Sequence, residues 1–329
     1  LTDTDIIDPL GDTAHGVGIF ATDRSIISWI GGGVSGAQAS TPGHSGAAMY
    51  LMDSSTFSGT NLSFEDNSAY NGGALEITDG STAVLNNVSF EDNIAQRAGG
   101  AVRASSSAAV SCTGCSFDSN QADRGGAVDV SGDSIYEDVN GNYTDNEATD
   151  QDGGAIRVFT NGELTVSGAN FEGNESSQAG GAIYLYQPAD TALISLSGFQ
   201  NNMASSGDGG AMLADLGASL TVIDSSFDDN STVLGSGGGI AFDPVSAGHS
   251  LMVTGSVFEG NDAEDDGGAI YASGGDMVTI EDGTFLRNRA PSGDGGSVML
   301  DDNGGYLFQR VLFHGNTADV SGRGGAIFD

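Results

Sequence analysis

Lysine is absent from this 329-residue sequence, and positive charge as a whole is scarce. Nine arginines stand against 45 aspartates and glutamates, which gives a formal net charge of −36. A field of this sign repels nucleic acids and anionic membrane surfaces, so neither is expected as a partner. The charge suits a protein in salty or calcium-bearing surroundings, where ions screen self-repulsion, or it serves only as a solubilising surface.

Long apolar runs, proline and cysteine are scarce as well. No stretch approaches the roughly 18 consecutive apolar residues that a membrane-spanning helix needs, so this chain is expected to contain no membrane span. There are five prolines and two cysteines but 53 glycines. Such a composition favours a repeated architecture with glycine at its turns over two ordinary compact domains.

Two anchor motifs recur along the chain. The first is G-G-A followed by an aliphatic residue, and the second is F-x-x-N. The glycine anchors begin at Gly46, Gly72, Gly99, Gly125, Gly153, Gly180, Gly209, Gly237, Gly267, Gly295 and Gly324. From the first glycine to the next aromatic residue is 18 positions in eight of ten cases, and a full repeat is 26 to 31 residues. This constancy leaves no room for a large insertion.

A repeat of this length with short alternating apolar runs predicts three short strands and three turns. The predicted fold class is all-β, a right-handed parallel β-helix of 10–11 coils, about 50 Å long at about 4.8 Å per coil. In such a rod equal positions stack in register, so the aromatic and asparagine anchors should form structural ladders. These ladder residues include Phe64, Asn67, Phe90, Asn93, Phe171 and Asn174.

The boundary of the repeats divides the chain into two parts. Residues 1–45, which include Trp29, carry a poorer repeat signal and are expected to form an N-terminal cap or a degenerate first coil. Residues 46–329 are expected to form the parallel β-helix. The last repeat stops at Asp329 before it is complete, so we expect the native protein to continue or another copy to cover this end.

The joint repetition of the two anchors resembles the polymorphic outer membrane protein repeat, best known from chlamydial surface adhesins. The resemblance covers Gly46 to Phe328, with degenerate anchors at Ala47 and Ser297. It implies a secreted, surface-displayed β-helical passenger used in adhesion. Extracellular or cell-surface localisation is therefore expected.

One row of side chains between the anchors is a candidate contact surface. Two positions after the third residue of each glycine anchor, the alternation of apolar neighbours predicts a side chain that points outward. In the first coils this row alternates in charge, with Glu76, Arg103, Asp129 and Arg157. Later it becomes apolar, and an apolar surface stripe usually marks a contact surface. The predicted partner-binding residues are Tyr184, Leu213, Tyr271, Met299 and Phe328. Another copy, another surface protein or a host or matrix glycan could bind there, or a terminal extension could cover the stripe.

A second row, beside the aromatic anchor, carries stacked acids and is a candidate calcium site. Glu65, Glu91 and Asp118 would lie about 5 Å apart on successive coils, which is costly unless a cation lies between them. Asp138, Asn140 and Asn142 have the alternating oxygen spacing of a weak calcium loop. The alternative is that these acids are simply solvated. No other cofactor is expected.

Two smaller motifs concern covalent chemistry. Cys112 and Cys115 are the only cysteines, and in an exported chain a local disulfide is favoured over free thiols. Glycosylation sequons occur at Asn61, Asn87 and Asn142, which are relevant only in a eukaryote; those at Asn174 and Asn230 coincide with the asparagine ladder and should be buried.

No residue of this sequence is assigned a catalytic role. Many parallel β-helices cleave acidic polysaccharides, but they need clustered carboxylates or a calcium–arginine–lysine set between long loops. This chain has no lysine, and the nearly constant length of its coils leaves no long loops to form the walls of a catalytic groove. The predicted function is a non-catalytic surface adhesin or a structural element of a surface filament, and the alternative is a polysaccharide-binding or polysaccharide-cleaving enzyme.

Overall fold

The chain forms a parallel β-helix of about 11 turns in a computed structural model. The structure describes residues 1–7, 15–39, 43–301, 304–318 and 322–329. Within these ranges all regular structure is β, and no helix is present that is long and apolar enough to cross a membrane. The predicted all-β parallel β-helix is confirmed.

The strands stack in parallel into three sheets that run the length of the rod. Sheet 1 holds Ile19–Ala21 and the eleven strands that follow the glycine anchors, namely Met49–Leu51, Leu75–Ile77, Val102–Ala104, Val128–Ser131, Ile156–Phe159, Ile183–Tyr186, Met212–Asp215, Ile240–Asp243, Ile270–Ser273, Val298–Asp301 and Ile327–Phe328. Sheet 3 holds the ten short strands that follow the asparagines, namely Ser68–Asn71, Ile94–Ala98, Gln121–Ala122, Glu147–Ala148, Glu175–Ser176, Met203–Ala204, Ser231–Thr232, Asp262–Ala263, Arg289–Ala290 and Thr317–Ala318.

Sheet 2 lies between these two in chain order and has two columns of strands. The first column comprises the first half of Ile26–Ser35 followed by Thr56–Thr60, Thr82–Asn86, Ala109–Thr113, Ile135–Val139, Glu163–Ser167, Ala192–Ser195, Leu220–Ile223, Ser250–Thr254, Met277–Glu281 and Tyr306–Gln309. Thr2–Ile7 pairs chiefly with the second half of Ile26–Ser35. The second column carries the aromatic anchors and comprises Ser63–Glu65, Ser89–Glu91, Ser116–Asp118, Asn142–Thr144, Asn170–Glu172, Gly198–Gln200, Ser226–Asp228, Val257–Glu259, Thr284–Leu286 and Leu312–His314.

The three faces expected of each coil are present as three sheets, but sheet 2 contributes two strands, so a typical coil has four strands rather than three. The two columns of sheet 2 are separated by a kink at which one residue per coil has positive φ, for example Asn87 at 52°, Gly114 at 62° and Asn140 at 59°. Asparagine, aspartate and glycine tolerate this left-handed conformation better than other residues. The kink turns the chain without a loop, so in the sequence it is marked by a single residue and not by a longer turn motif.

The aromatic anchors form an uninterrupted stack inside the rod. From Phe64 to Phe313 the rings of neighbouring coils lie nearly parallel, with centroids 4.5–5.3 Å apart. Phe90, for example, pairs in register with Phe64 and Phe117. Inward-facing aliphatic residues of sheets 1 and 2 complete this core. The predicted aromatic ladder is confirmed.

The asparagine anchors form a second ladder, which is hydrogen-bonded and fully buried from Asn67 to Asn288. The Oδ1 atom of Asn120 accepts from the backbone N of Asn93 at 3.1 Å and from its Nδ2 at 3.0 Å. The Nδ2 atom of Asn120 donates to the carbonyl oxygen of Phe90 at 3.0 Å and to Oδ1 of Asn146 at 3.0 Å. Asn67, Asn93 and Asn174 make equivalent contacts, as predicted. Each amide thus closes the turn and joins three coils.

Replacing Asn120 by alanine is expected to lower the free energy of unfolding by about 1–3 kcal/mol, because buried donors and acceptors on two neighbouring coils lose their partners. The measurement is a denaturant titration followed by circular dichroism. The matched control is Asn142→Ala, an exposed asparagine in the following coil, which should change stability much less. Equal losses in both variants would contradict the ladder's role.

Residues near the N-terminus follow the same three-sheet path. Ile19–Ala21 pairs in register with Met49–Leu51, and Ile26–Ser35 spans both columns of sheet 2. Trp29 is fully buried and contacts Phe64 edge-on, with ring centroids 6.3 Å apart. The described part of residues 15–45 is thus built as a coil of the rod.

Candidate functional surfaces

The row of side chains on the outer side of sheet 1 stacks in register, but much of it is not exposed. We call it the sheet 1 row: Tyr50, Glu76, Arg103, Asp129, Arg157, Tyr184, Leu213, Ala241, Tyr271, Met299 and Phe328. Tyr184 and Leu213 are each only 7% exposed, and Ala241 is fully buried. Tyr271, Met299 and Phe328 are half-buried. The prediction of an exposed apolar stripe was therefore wrong at its centre.

The chain itself covers this row. Ala179, which directly precedes a glycine anchor, packs with Tyr184, Leu213 and Ala241 in a second apolar cluster outside the main core. The first glycine of each anchor lies against the row, so that a Cβ atom on Gly153 would come 3.1 Å from the Cβ of Arg157. The segment before each anchor thus turns back over the strand that follows it, and glycine makes the close approach possible.

The charged part of the sheet 1 row forms a buried ion-pair ladder. Arg103 donates to Glu76 at 2.6 Å and lies 3.5 Å from Asp129, and Arg157 contacts the other oxygen of Asp129 at 3.0 Å. Arg124 approaches the same carboxylate at 3.9 Å. The side chains of Glu76, Asp129 and Arg157 are at most 4% exposed. The predicted alternation of charge between coils is present, but these side chains are largely buried rather than exposed to solvent.

Glu76, at one end of this ladder, is held in a poorly solvated site. Burial raises the pKa of its carboxyl to about 7, against the opposing effect of Arg103. Its Oε2 atom has no hydrogen-bond partner. The ionised form of Glu76 is therefore less favoured in this site than in water.

The acids proposed for calcium lie in two different settings. Glu65, Glu91 and Asp118 stack in register on the exposed side of sheet 2. Slight desolvation, followed by repulsion from Glu65 and Asp118, raises the pKa of Glu91. Within the described parts of the chain, no three histidine, cysteine, aspartate or glutamate side chains form a group that could hold a metal ion. Calcium binding at this row stays a prediction.

The second calcium candidate does not converge on one point. The side chain of Asp138 faces the core and accepts a hydrogen bond from the backbone N of Gly141 at 3.1 Å. Asn140 and Asn142 are exposed, and the amide of Asn142 donates to the hydroxyl of Thr144 at 2.8 Å. The alternating oxygen spacing here follows a strand and a left-handed kink, not a loop wrapped around an ion.

Asp138 is one of several polar groups buried inside the rod. Burial raises the pKa of its carboxyl to about 7, although the Gly141 hydrogen bond favours the ionised form. Its Oδ1 atom has no hydrogen-bond partner. In the same coil the hydroxyls of Tyr136 and Tyr143 share a hydrogen bond of 2.7 Å in the core. The sequence offered a weak signal for this site, because Asp138 occupies an inward position of its strand.

Cys112 and Cys115 are both free and buried, so the predicted disulfide was wrong. Cys112 is an inward strand residue that stacks between Leu85 and Asp138 of the neighbouring coils. The Sγ atom of Cys115 points to the carbonyl oxygen of Leu85 at 3.8 Å. Both thiols therefore fill the core as small apolar side chains, which is common for buried cysteine.

The sequons fall into the two predicted groups. Asn61, Asn87 and Asn142 are exposed, whereas Asn174 and Asn230 are fully buried in the asparagine ladder. Asn61 and Asn87 lie at the kink of sheet 2, where φ is positive. Glycosylation at the three exposed positions stays a prediction.

These observations place the chain in the class of parallel β-helix repeat proteins. Residues 255–273 match the Chlamydia polymorphic membrane protein (Chlamydia_PMP) repeat. The match contains one aromatic and asparagine anchor, Phe258 and Asn261, and the whole of the next glycine anchor, Gly267 to Ile270. The resemblance of the two motifs to this repeat family is thereby confirmed. Neither the curated proteins nor the solved structures gave a match to the chain.

Proposed function

We propose that this chain is a non-catalytic rod displayed outside the cell, where it acts as an adhesin or as a structural element of the surface. The observation that carries the proposal is the constancy of the coils. The glycine-to-aromatic segment keeps 18 residues in eight of ten repeats, and the largest excess is three residues. Such coils build continuous outer faces but no long loops that would wall a catalytic cleft.

The polar groups support the same proposal. The buried charged side chains of the sheet 1 row are paired across coils, Glu76 with Arg103 and Asp129 with Arg157. The exposed acids of sheet 2 are spread along the rod, as expected for a solvated surface. The match to the Chlamydia polymorphic membrane protein repeat also favours a surface protein.

Surface display is tested with antibodies against the purified chain on intact and on lysed cells of the source organism. We expect labelling of intact cells that is lost after mild external proteolysis. Labelling that requires lysis would contradict the proposed location. Independently, the purified chain is incubated with polygalacturonate and alginate, and release of new chain ends would contradict the non-catalytic part.

A further inference from the structure

The outer face of the first column of sheet 2 differs from the rest of the surface. Its middle row stacks in register as Ser28, Ser58, Val84, Ser111, Glu137, Thr165, Leu193, Thr221, Met252, Thr279 and Leu307. Rows on either side add Ile135, Val139 and Met277, which are 38–43% exposed. We call these three rows the sheet 2 face. Serine, threonine and aliphatic residues make up most of it.

Charge is nearly absent from this face. Only three of the chain's 45 acidic residues belong to its described rows, namely Glu137, Glu163 and Glu281. Val84, Met252 and Leu307, all in the middle row, are 39–45% exposed. Exposed aliphatic residues concentrated on one side of a monomer usually mark a contact surface. In a chain of net charge −36, this is the side on which another acidic molecule can approach most closely.

We propose that the sheet 2 face is an interface between two copies of this chain, packed face to face with their rods antiparallel. This goes beyond the proposed surface function, because it names the side of the rod that associates and its partner. The area is sufficient. About 11 coils at about 4.8 Å and a width of about 14 Å give roughly 700 Å² per copy, close to the roughly 800 Å² per partner of a standard stable interface.

The positions of the acids favour the antiparallel arrangement. A two-fold axis along the rod would place each coil against the same coil of the other copy, and Glu137, in the middle row, would then face its own counterpart. Like charges that meet at a desolvated interface are costly. A two-fold axis across the rod instead brings coils of one half against coils of the other half. With this axis placed between the coil of Glu137 and the coil of Glu163, Glu137 faces Thr165 and Glu163 faces Ile135, so neither acid meets its own counterpart.

The test is sedimentation equilibrium of the intact chain, whose mass is 33.1 kDa. We expect a dimer of twice this mass at micromolar concentration. Because residual repulsion between the acidic rims is screened by salt, association should strengthen between about 0.15 and 0.5 M NaCl. The double variant Val84→Glu/Met252→Glu should be monomeric. The matched control is Ile94→Glu, which places an acid at an equally exposed aliphatic site on sheet 3, and it should remain dimeric.

Circular dichroism and the melting temperature show whether each variant is folded, so that loss of the dimer is not confused with loss of the rod. A wild-type chain that stays monomeric at about 100 µM, or a dimer that survives the double substitution, would overturn the proposal.

The relative orientation of the two rods is measured with a spin label at Ile94→Cys, since Cys112 and Cys115 are buried. Labels far apart support the antiparallel pair, and labels at the same level refute it.

Discussion

Replacing Asp138 by asparagine is expected to stabilise the rod at pH 8 by about 2–4 kcal/mol and to leave it nearly unchanged at pH 4. The reason is the buried setting of this carboxyl, whose Oδ1 atom lacks a partner. Above pH 7 the folded chain must hold an ionised carboxylate in its core. An asparagine side chain of almost the same shape carries no charge and removes this cost.

The direction of the pH dependence follows from the raised pKa. In the unfolded chain Asp138 ionises near pH 4, whereas in the rod its pKa is about 7. Between these values the folded state keeps a proton that the unfolded state releases, so stability falls as the pH rises from about 4 to 7. Glu76, with a pKa of about 7, adds to the same trend. The rod should thus be most stable in mildly acidic solution.

The measurement is the denaturant midpoint of wild type and Asp138→Asn at several pH values. Glu172→Gln is the matched control, because it removes one exposed acid of the next coil that lies outside the sheet 2 face. Repulsion among the many surface acids also grows with pH, and the control reports that part alone. Parallel pH profiles for Asp138→Asn and wild type would show that Asp138 is not held protonated by burial.

Replacing Asp129 by asparagine should lower the free energy of unfolding by about 3–5 kcal/mol, because it leaves buried guanidinium groups without a counter-charge. Arg157 is 4% exposed and lies 3.0 Å from Asp129, and Arg103 contacts its other oxygen. The loss is expected to persist at 1 M NaCl, since buried pairs are poorly screened.

An exposed ion pair of the same rod serves as the control. Arg289 and Asp262 are 2.7 Å apart but 58% and 36% exposed, so Asp262→Asn should cost less than about 1 kcal/mol. Thermal denaturation at low and high salt compares the two variants. If Asp129→Asn were no more destabilising than Asp262→Asn, the covered ladder would contribute no more than a surface pair.

The ladders could be predicted from sequence because, in a rod of stacked coils, a fixed spacing between two motifs allows only one arrangement of their residues on neighbouring coils. The 18 residues from Gly99 to Phe117 recur from Gly125 to Tyr143, so equal positions must meet on neighbouring coils. An asparagine that repeats in this way has its donor and acceptor supplied by the next copy. For this reason the stacking of Asn120 on Asn146 could be predicted without knowing the conformation of the turn.

Exposure could not be predicted in the same way. Alternation places Tyr184 on the outer side of its strand, but it says nothing about a segment that turns back over that side, as Ala179 does. The two cysteines were misleading for a related reason. Their spacing suits a disulfide that closes a turn. However, Cys112 occupies an inward position of its strand, and this position places its side chain in the core. Because the centre of the sheet 1 row is covered, we propose the contact surface on sheet 2 instead.

The kink of sheet 2 also escaped prediction, because its single residue varies. Asn87, Gly114, Leu196 and Arg310 all adopt positive φ there. Each coil imposes this conformation through its pairing with the coils beside it, so unfavourable residues are tolerated. Only the set of coils, compared position by position, reveals the turn.

The near-constant coil length has a consequence for how such a protein can change over generations. Each coil makes its contacts with the coil before it and the coil after it, and both neighbours present the same pattern of strands. A duplication or deletion of one whole repeat therefore rejoins matching surfaces and leaves every ladder continuous. The reach of the rod can be adjusted in steps of about 4.8 Å, whereas a gain or loss of a few residues within a repeat must be absorbed at a turn, as are the one and three extra residues after Gly180 and Gly237, for the strands to stay in register.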